Sequence, residues 1–289
     1  MIFMGTGAAQ LVPSPFCDCA YCQRVRTSGD RRNLRGRAGF QIDEYNLIDL
    51  GPDTSYTAGL FGVSFRKTRN NFYTHFHTDH FSYANWENLR MCSEPIYMNV
   101  WLSEAAYEGL NRAKDFLTAC PSEEFISKSR FFQEHLTFHP VKAYETYRAE
   151  DLTVSPVWAT HGGQFPGETG INYLFERNGK RFLYACDTGL YRESSFEYLA
   201  GKTLDLLIID CTFGNEPVPE TSSHLNCELL DRMIQRFVRD GVVTSDTEIY
   251  ATHIGHQCGM LHDEFEQKLQ SLYGKNAHLA YDGLKIRDF

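Results

Sequence analysis

Short apolar runs alternate with amphipathic stretches along most of the chain. Runs rich in β-branched, aromatic and aliphatic residues predict strands. These strands are predicted at residues 1–5, 46–51, 70–75, 95–100, 152–161, 171–176, 181–189, 204–211, 248–256 and 278–286. Apolar residues at three- and four-residue intervals predict helices at residues 80–92, 103–117, 224–241 and 260–273. Many strands with helices between them indicate an α/β or layered α+β fold.

Two local patterns are especially clear. The predicted helix near residue 230 carries one apolar stripe and ends at a glycine. The stripe consists of Leu225, Leu229, Met233 and Phe237, and the glycine is Gly241. The segment "RNGK" at residues 177–180 contains the Asn-Gly pair of a tight two-residue turn. It predicts a hairpin between residues 171–177 and 181–186.

The composition is typical of a compact globular protein. The chain has 289 residues, 42% of them hydrophobic, with no Pro/Gly/Ser-rich linker and no internal repeat. A chain of this length buries enough apolar surface to fold without disulfides. We therefore predict one domain over residues 1–289, with a segment rich in Tyr, Phe and Glu at about 100–150.

Charge and chain ends bear on partners and location. The formal net charge of -9 disfavours broad attraction to a polyanion, so a small substrate is favoured over nucleic acid. The first residues lack a secretory pattern, and no run reaches the ~18 apolar residues of a membrane span. Six of the nine cysteines are scattered singly, which is typical of reduced thiols. We expect a soluble cytoplasmic protein without membrane contact, and a homodimer is left open.

Metal-binding residue types recur where predicted strands end. The segments are "THFHTDH" at 74–80, "ATHGG" at 159–163, "ACDTG" at 185–189 and "ATHIGH" at 251–256. His75 and His77 point the same way from an extended chain, while Asp79 and His80 follow as the chain turns. Four ligand-type residues in six positions can bind two neighbouring metal ions from one loop.

Three cysteines crowd one short segment near the start of the chain. Cys17, Cys19 and Cys22 lie within "PFCDCAYCQ", and the next cysteine, Cys92, is distant in sequence. Such spacing favours a metal site over core packing. A tetrahedral zinc site needs a fourth ligand, which the spacing alone does not identify.

The "HFHTDH" segment resembles the HxHxDH signature of the metallo-β-lactamase superfamily. The resemblance implies an α/β fold, a four-layer αββα sandwich that holds two metal ions between its sheets. His161, Asp187 and His253 match the remaining ligands in chain order, with Asp187 as the bridge. Asp49 resembles the structural aspartate that hydrogen-bonds the signature loop.

A narrower resemblance is to the PhnP-like cyclic phosphodiesterases. In that branch a CxCxxC loop and a histidine three residues after the last catalytic histidine share a structural zinc ion. The resemblance assigns this zinc ion to Cys17, Cys19, Cys22 and His256. The resemblance also implies that His224, at the start of a predicted helix, is the general acid. It implies that Asp79 is both a catalytic residue and a metal ligand. Residues at about 100–150 match the branch poorly.

These resemblances imply a metal-dependent phosphodiesterase. Two divalent ions, Zn or Mn, would hold the hydroxide that attacks phosphoribosyl 1,2-cyclic phosphate or a related small cyclic phosphate. The alternatives are an RNase Z-like tRNA 3'-processing nuclease, a PqqB-like binding or carrier protein, and a thioester or lactam hydrolase. Arg35 and Arg37 can approach a phosphate, but an exposed pair leading a strand explains them more simply.

Overall fold

The computed structural model describes residues 1–94, 96–118 and 134–287, and within them the chain forms two β-sheets. The first sheet has the strand order β1-β2-β3-β4-β5-β6. Its strands are β1 (Ile2–Gly5), β2 (Gly39–Gln41), β3 (Asn46–Ile48), β4 (Asn70–Phe72), β5 (Met98–Ser103) and β6 (Leu136–Val141). The pairs β1–β2 and β2–β3 are antiparallel, and β3 to β6 run parallel.

The second sheet has the order β13-β12-β11-β10-β9-β8-β7. Its strands are β7 (Tyr147–Ala149), β8 (Leu152–Gly162), β9 (Thr169–Arg177), β10 (Lys180–Ala185), β11 (Leu206–Asp210), β12 (Glu248–Thr252) and β13 (Ala277–Leu279). Strands β7 to β10 are antiparallel neighbours, and β10 to β13 are parallel. The β9–β10 hairpin turns at Asn178 and Gly179, both with positive φ, as the Asn-Gly pair predicts.

Helices cover the outer faces of the two sheets. They are α1 (Ala20–Thr27), a 3-10 turn (Arg31–Asn33), α2 (Thr54–Phe61), α3 (Tyr83–Arg90), α4 (Glu104–Thr118), α5 (Glu193–Leu199), α6 (Cys227–Arg239) and α7 (His262–Tyr273). Helix α6 begins where the Asn226 side chain accepts a hydrogen bond from the Leu229 N–H at 2.9 Å. It therefore starts after His224, which lies in the preceding loop and not at the start of the helix as predicted.

The main core lies between the two sheets. Phe72 of the first sheet packs edge-on against Phe175 of the second, with ring centroids 5.1 Å apart. Phe40 likewise contacts Tyr184 at 5.7 Å. Because these rings are fully buried, each contributes about 1.5–3 kcal/mol of hydrophobic stabilisation.

Separate apolar clusters join the helices to the sheets. Met233 and Phe237 of α6 belong to one cluster with Leu207 and Ile209 on the outer face of the second sheet. Trp86 of α3 packs with Tyr73 and Val100 on the outer face of the first sheet. The order of layers is therefore helix, sheet, sheet, helix, and the predicted αββα class is confirmed.

Some boundaries differ from the prediction. The strand predicted at 278–286 ends at Leu279, because the chain then turns and its Leu284 carbonyl accepts from Phe3 N–H at 3.0 Å on the edge of β1. The prediction missed six elements that are short or lack a regular apolar period, namely helices α1, α2 and α5 and strands β2, β6 and β7.

The predicted strand at 95–100 corresponds to Met98–Ser103, and its first residue lies outside the described residues. The segment at 100–150 supplies β5, α4, β6 and β7, and its residues 119–133 likewise lie outside.

Candidate metal centres and active site

The signature loop, residues 74–80, is held at both ends by the buried carboxylate of Asp49. Asp49 follows β3 with φ of 55°, and its side chain accepts from Thr74 N–H and Thr74 Oγ1–H, each at 2.8 Å. Its Oδ2 also lies 2.7 Å from His80 Nδ1. Burial raises the pKa of Asp49, while His80 and Thr74 stabilise its charged form. Because Asp49 holds Nδ1 of His80, Nε2 is the nitrogen that can bind a metal ion. This is the structural role that the resemblance implies for Asp49.

Three histidines form one potential ligand set. His75 Nε2 lies 2.9 Å from His77 Nδ1, and His161 Nε2 lies 3.2 Å from the same atom. His75 and His77 lie in the loop after β4, and His161 lies near the end of β8, so the two sheets meet here. Burial lowers the pKa of His75 well below its usual value and also lowers the pKa of His77 and His161. Neutral imidazoles are the form that binds a metal ion.

A second set contains Asp79, His80, Asp187 and His253, whose ligand atoms lie within 4.8 Å of one another. Asp187 of this set also contacts the three-histidine set. Its Oδ1 is 2.7 Å from His253 Nε2, and its Oδ2 is 3.2 Å from His80 Nε2 and 3.4 Å from His75 Nε2. A carboxylate in contact with both sets has the position that a bridging ligand requires.

The donor atoms fit a pair of divalent cations. Within the described residues, His80 Nε2 and His253 Nε2 are buried and form no well-aligned hydrogen bond, although Asp187 oxygens lie 3.2 Å and 2.7 Å away. Leaving such atoms unpaired is costly unless they bind something else. Asp187 and His253 also have positive φ values of 54° and 60°, a conformation that costs non-glycine residues about 1–3 kcal/mol. Imidazole nitrogens and carboxylate oxygens that converge in this way are typical of ligands to divalent transition-metal ions.

His224 lies against this centre and is held by an aspartate that the sequence analysis missed. Its Nδ1 is 2.9 Å from Oδ2 of Asp210, which is fully buried at the end of β11. The Asp210 carboxylate also accepts from Thr212 N–H and Leu225 N–H, each at 3.0 Å. The His224 ring is 4.7 Å from the ring of His161 and stacks on His253 at 5.3 Å. Asp210 ends a buried apolar strand, much as Asp187 closely follows one, and this is the signal that could have identified it.

The ionisation of His224 reflects two opposing effects. Burial acts to lower the pKa of His224, but the charge of Asp210, its hydrogen bond and the charge of Asp187 together raise the pKa above its usual value. A raised pKa favours the protonated imidazole, and this form can donate a proton. No other histidine lies near His224 in sequence, whereas the fold places His161 and His253 beside it.

The cysteine cluster forms a separate potential metal site. Ligand atoms of Cys17, Cys19, Cys22 and His256 lie within 4.8 Å of one another, so the fold supplies a fourth candidate donor. The N–H of Cys22, followed by His256, lowers the pKa of Cys19 to about 6, while burial raises the pKa of Cys22 to about 11. His256 Nδ1 is buried and forms no hydrogen bond with the part of the chain that the structure describes. Three thiols and one imidazole fit a closed tetrahedral zinc site.

The two arginines do not lie free for a phosphate. Arg35 is buried, contrary to the expectation of an exposed pair, and its guanidinium donates to Thr6 Oγ1 at 2.8 Å and to the Ala280 carbonyl. Arg37 is partly exposed and forms an ion pair with Asp53 at 3.1 Å. Both side chains therefore join loops near the edge of the first sheet.

Comparison with known proteins identifies the family. Residues 46–254 match the family model described as the Beta-lactamase superfamily domain, and the chain belongs to this superfamily. The match includes the signature loop and both ligand sets, and the predicted metal-dependent hydrolase class is confirmed. No curated protein sequence matches the chain. No helix among the described residues has the length and apolar character needed to cross a bilayer.

Solved structures share the whole fold. A diphosphatase of the PhnP family is 24% identical, with 99% of this chain and 95% of that one covered and a TM-score of 0.71. Zn²⁺-bound PqqB from Methylobacterium extorquens is 17% identical over 98% of both chains, with a TM-score of 0.64. Human tRNase Z, short form, is 15% identical over 98% of this chain and 96% of that one, with a TM-score of 0.60. At these identities the likeness describes the fold.

Proposed function

We propose that this protein is a metal-dependent phosphodiesterase that hydrolyses a small cyclic phosphate, phosphoribosyl 1,2-cyclic phosphate or a related compound. The observation that carries the proposal is the His224–Asp210 pair beside the two ligand sets, with 2.9 Å between Nδ1 and Oδ2. A proton donor next to a dinuclear centre suits a substrate whose leaving group is a poor one, such as a sugar alkoxide.

The chain's own residues would hold two divalent ions. One ion would take His75, His77 and His161, the other Asp79, His80 and His253, with Asp187 shared. Two such ions, when bound, activate water and stabilise charge on the entering and leaving oxygens at phosphorus. Zn and Mn both suit these ligands. The Cys17, Cys19, Cys22 and His256 set would hold one structural Zn.

His224 would supply the proton for the leaving oxygen. Because Nδ1 is engaged by Asp210, the opposite nitrogen, Nε2, is the one that donates to substrate. The raised pKa of His224 keeps a larger fraction of the ring protonated near neutral pH. Asp79, at 3.7 Å from His253 Nε2, is a ligand in this scheme and helps to orient the reacting water.

The relatives suggest which other substrates to compare. The PhnP-family neighbour is described as a diphosphatase, so a diphosphate is the natural second substrate class. The tRNase Z neighbour raises precursor tRNA, although the net charge of -9 disfavours a large polyanion. The PqqB neighbour suggests a non-catalytic binding role. The complete set of candidate metal ligands in this chain argues against that role.

The proposal is tested with purified protein reconstituted with Zn²⁺ or Mn²⁺. The substrates are phosphoribosyl 1,2-cyclic phosphate, a nucleoside diphosphate, a bis-aryl phosphate, precursor tRNA and a thioester. The cyclic phosphate should have the highest kcat/KM, and the Asp187→Ala variant should be inactive on it. Faster cleavage of precursor tRNA or of the thioester would overturn the proposal, as would comparable rates with and without metal ions.

A further inference from the structure

A buried glutamate outside both ligand sets connects the two segments that carry the three histidines. Glu168 is 6% exposed and lies just before β9. Its Oε1 accepts from Phe76 N–H at 3.0 Å, and its Oε2 accepts from Phe165 N–H at 3.0 Å. Phe76 lies between His75 and His77, and Phe165 lies in the loop that follows His161. One carboxylate therefore joins the signature loop of the first sheet to the His161 loop of the second.

The backbone leaves a space for this carboxylate. A Cβ atom on Gly163 would lie 2.1 Å from Cδ of Glu168 and 2.3 Å from its Oε2. The Gly163 N–H also donates to the Glu168 carbonyl at 3.2 Å. The φ of Gly163 is not in the left-handed region, so space rather than backbone conformation requires glycine here.

Among the residues that the structure describes, Glu168 has no cationic partner. Within the described residues, the carboxylate forms no ion pair with Lys, Arg or His, and its hydrogen bonds come from backbone N–H groups. Burial raises the pKa of Glu168, while those N–H groups favour its charged form. A cation held by the neighbouring histidines would compensate a buried negative charge at this place.

We propose that Glu168 is a positioning residue of the three-histidine half of the metal centre. It fixes His75 and His77 relative to His161 and adds a negative charge behind them, so that this half binds its metal ion tightly. The inference rests on the two-metal site of the proposed function but not on the identity of the substrate. Removing a carboxylate that lies just outside the ligands of a metal site typically weakens metal binding by roughly 10- to 100-fold.

The test is metal binding by the whole chain. Metal-free Glu168→Gln and parent protein are titrated with Zn²⁺ by calorimetry, and the loaded proteins are analysed for metal content. An amide oxygen accepts from only one of the two N–H groups and carries no charge. We expect one of the two catalytic-site affinities to fall about 10- to 100-fold, with the other unchanged. The control is Glu176→Gln, at the far end of β9, where the side chain pairs with Arg181 at 2.7 Å.

A second pair of variants separates positioning from loss of folding. Gly163→Ala should weaken the same site as Glu168→Ala, because the new methyl group displaces the carboxylate. In the Glu168→Ala background, Gly163→Ala should reduce the zinc affinity little further, since the space for the carboxylate is then empty. Parent-like zinc affinity in both single variants, or effects that add in the double variant, would overturn the inference. Loss of cyclic phosphate activity with normal metal affinity would contradict the role of Glu168 and leave the proposed function standing.

Discussion

His224 and Asp210 are 14 positions apart in the chain and form a hydrogen bond of 2.9 Å between Nδ1 and Oδ2 at the edge of the metal centre. Asp210 is the last residue of a fully buried strand. The loop after this strand turns back, so that the His224 imidazole contacts Oδ2 of Asp210. Leu225 N–H donates to the other carboxylate oxygen at 3.0 Å. Asp210 therefore fixes both the ring of His224 and the backbone beside it.

His224→Ala should slow cleavage of a substrate with an alkoxide leaving group by ~10² to 10⁴-fold, the usual contribution of a general acid. A bis-aryl phosphate should lose much less, because its phenolate departs without a proton. Metal content should stay at the parent value. Equal losses on the two substrates, or loss of an ion, would show that His224 is a ligand or holds the substrate.

Asp210→Asn should reproduce this kinetic pattern while His224 is still present. The Asn oxygen can still accept from Thr212 N–H and Leu225 N–H, but its NH₂ group then faces His224 Nδ1. The ring would turn or carry its proton on the wrong nitrogen, as in other His–Asp pairs. Stopped assays of both substrates across pH 5.5–9 give the measurement. Unchanged discrimination between the two leaving groups would remove Asp210 from this role.

Asp187 and His161 should differ in how many ions they hold. Asp187→Ala removes the carboxylate that lies between both ligand sets, so both catalytic ions should bind weakly and all phosphodiesterase activity should be lost. His161→Ala removes one nitrogen of the three-histidine set, and one ion should be lost. Elemental analysis of the two variants after identical loading distinguishes these outcomes. A single missing ion in Asp187→Ala would mean that the carboxylate does not bridge.

The sequence identified residues with conspicuous chemistry but not those that hold them in place. His75, His77, Asp79 and His80 stand together in one segment, and strand ends supplied His161, Asp187 and His253, which the fold then brings to the same place. Asp210 and Glu168 have no such cluster around them. Their roles depend on loops from distant parts of the chain meeting, and only three-dimensional packing shows that contact. The same holds for Arg35, whose burial depends on Thr6 and Ala280.

Cys19→Ser should cost stability while leaving the two catalytic ions in place. A closed thiolate site contributes its binding free energy to folding, so the melting temperature should fall by at least about 5 °C. The parent should contain one more zinc ion than the variant, and that ion should resist mild chelation. Cys92→Ser, at an exposed thiol outside the cluster, is the control. Equal melting temperatures for Cys19→Ser and the parent would count against a structural zinc site.

Gly189→Ala should impair catalysis by moving the loop that carries His224. A Cβ atom at Gly189 would lie 1.9 Å from the Ser222 carbonyl oxygen, so the Ser222–His224 segment must shift. A displacement of about 1 Å in a catalytic group can cost ~10²-fold in rate. Gly59→Ala in α2, where nothing lies within 4 Å of the new methyl group, should retain parent activity. Parent-like kcat in Gly189→Ala would show that the loop yields without consequence.

His262 should make the folded state sensitive to acid. Burial, followed by the charges of Arg35 and Arg32, lowers the pKa of His262 to about 4. The unfolded chain binds this proton near pH 6.5, so stability should fall as the pH drops from about 6.5 to about 4 and then level off. After allowance for solvent screening, the loss amounts to about 2 kcal/mol. His262→Asn keeps an acceptor near the Arg35 guanidinium, which lies 3.4 Å from Nδ1. Urea unfolding at pH 7.5 and at pH 4.5 should therefore show a smaller difference for His262→Asn than for the parent, and equal differences would contradict the assignment.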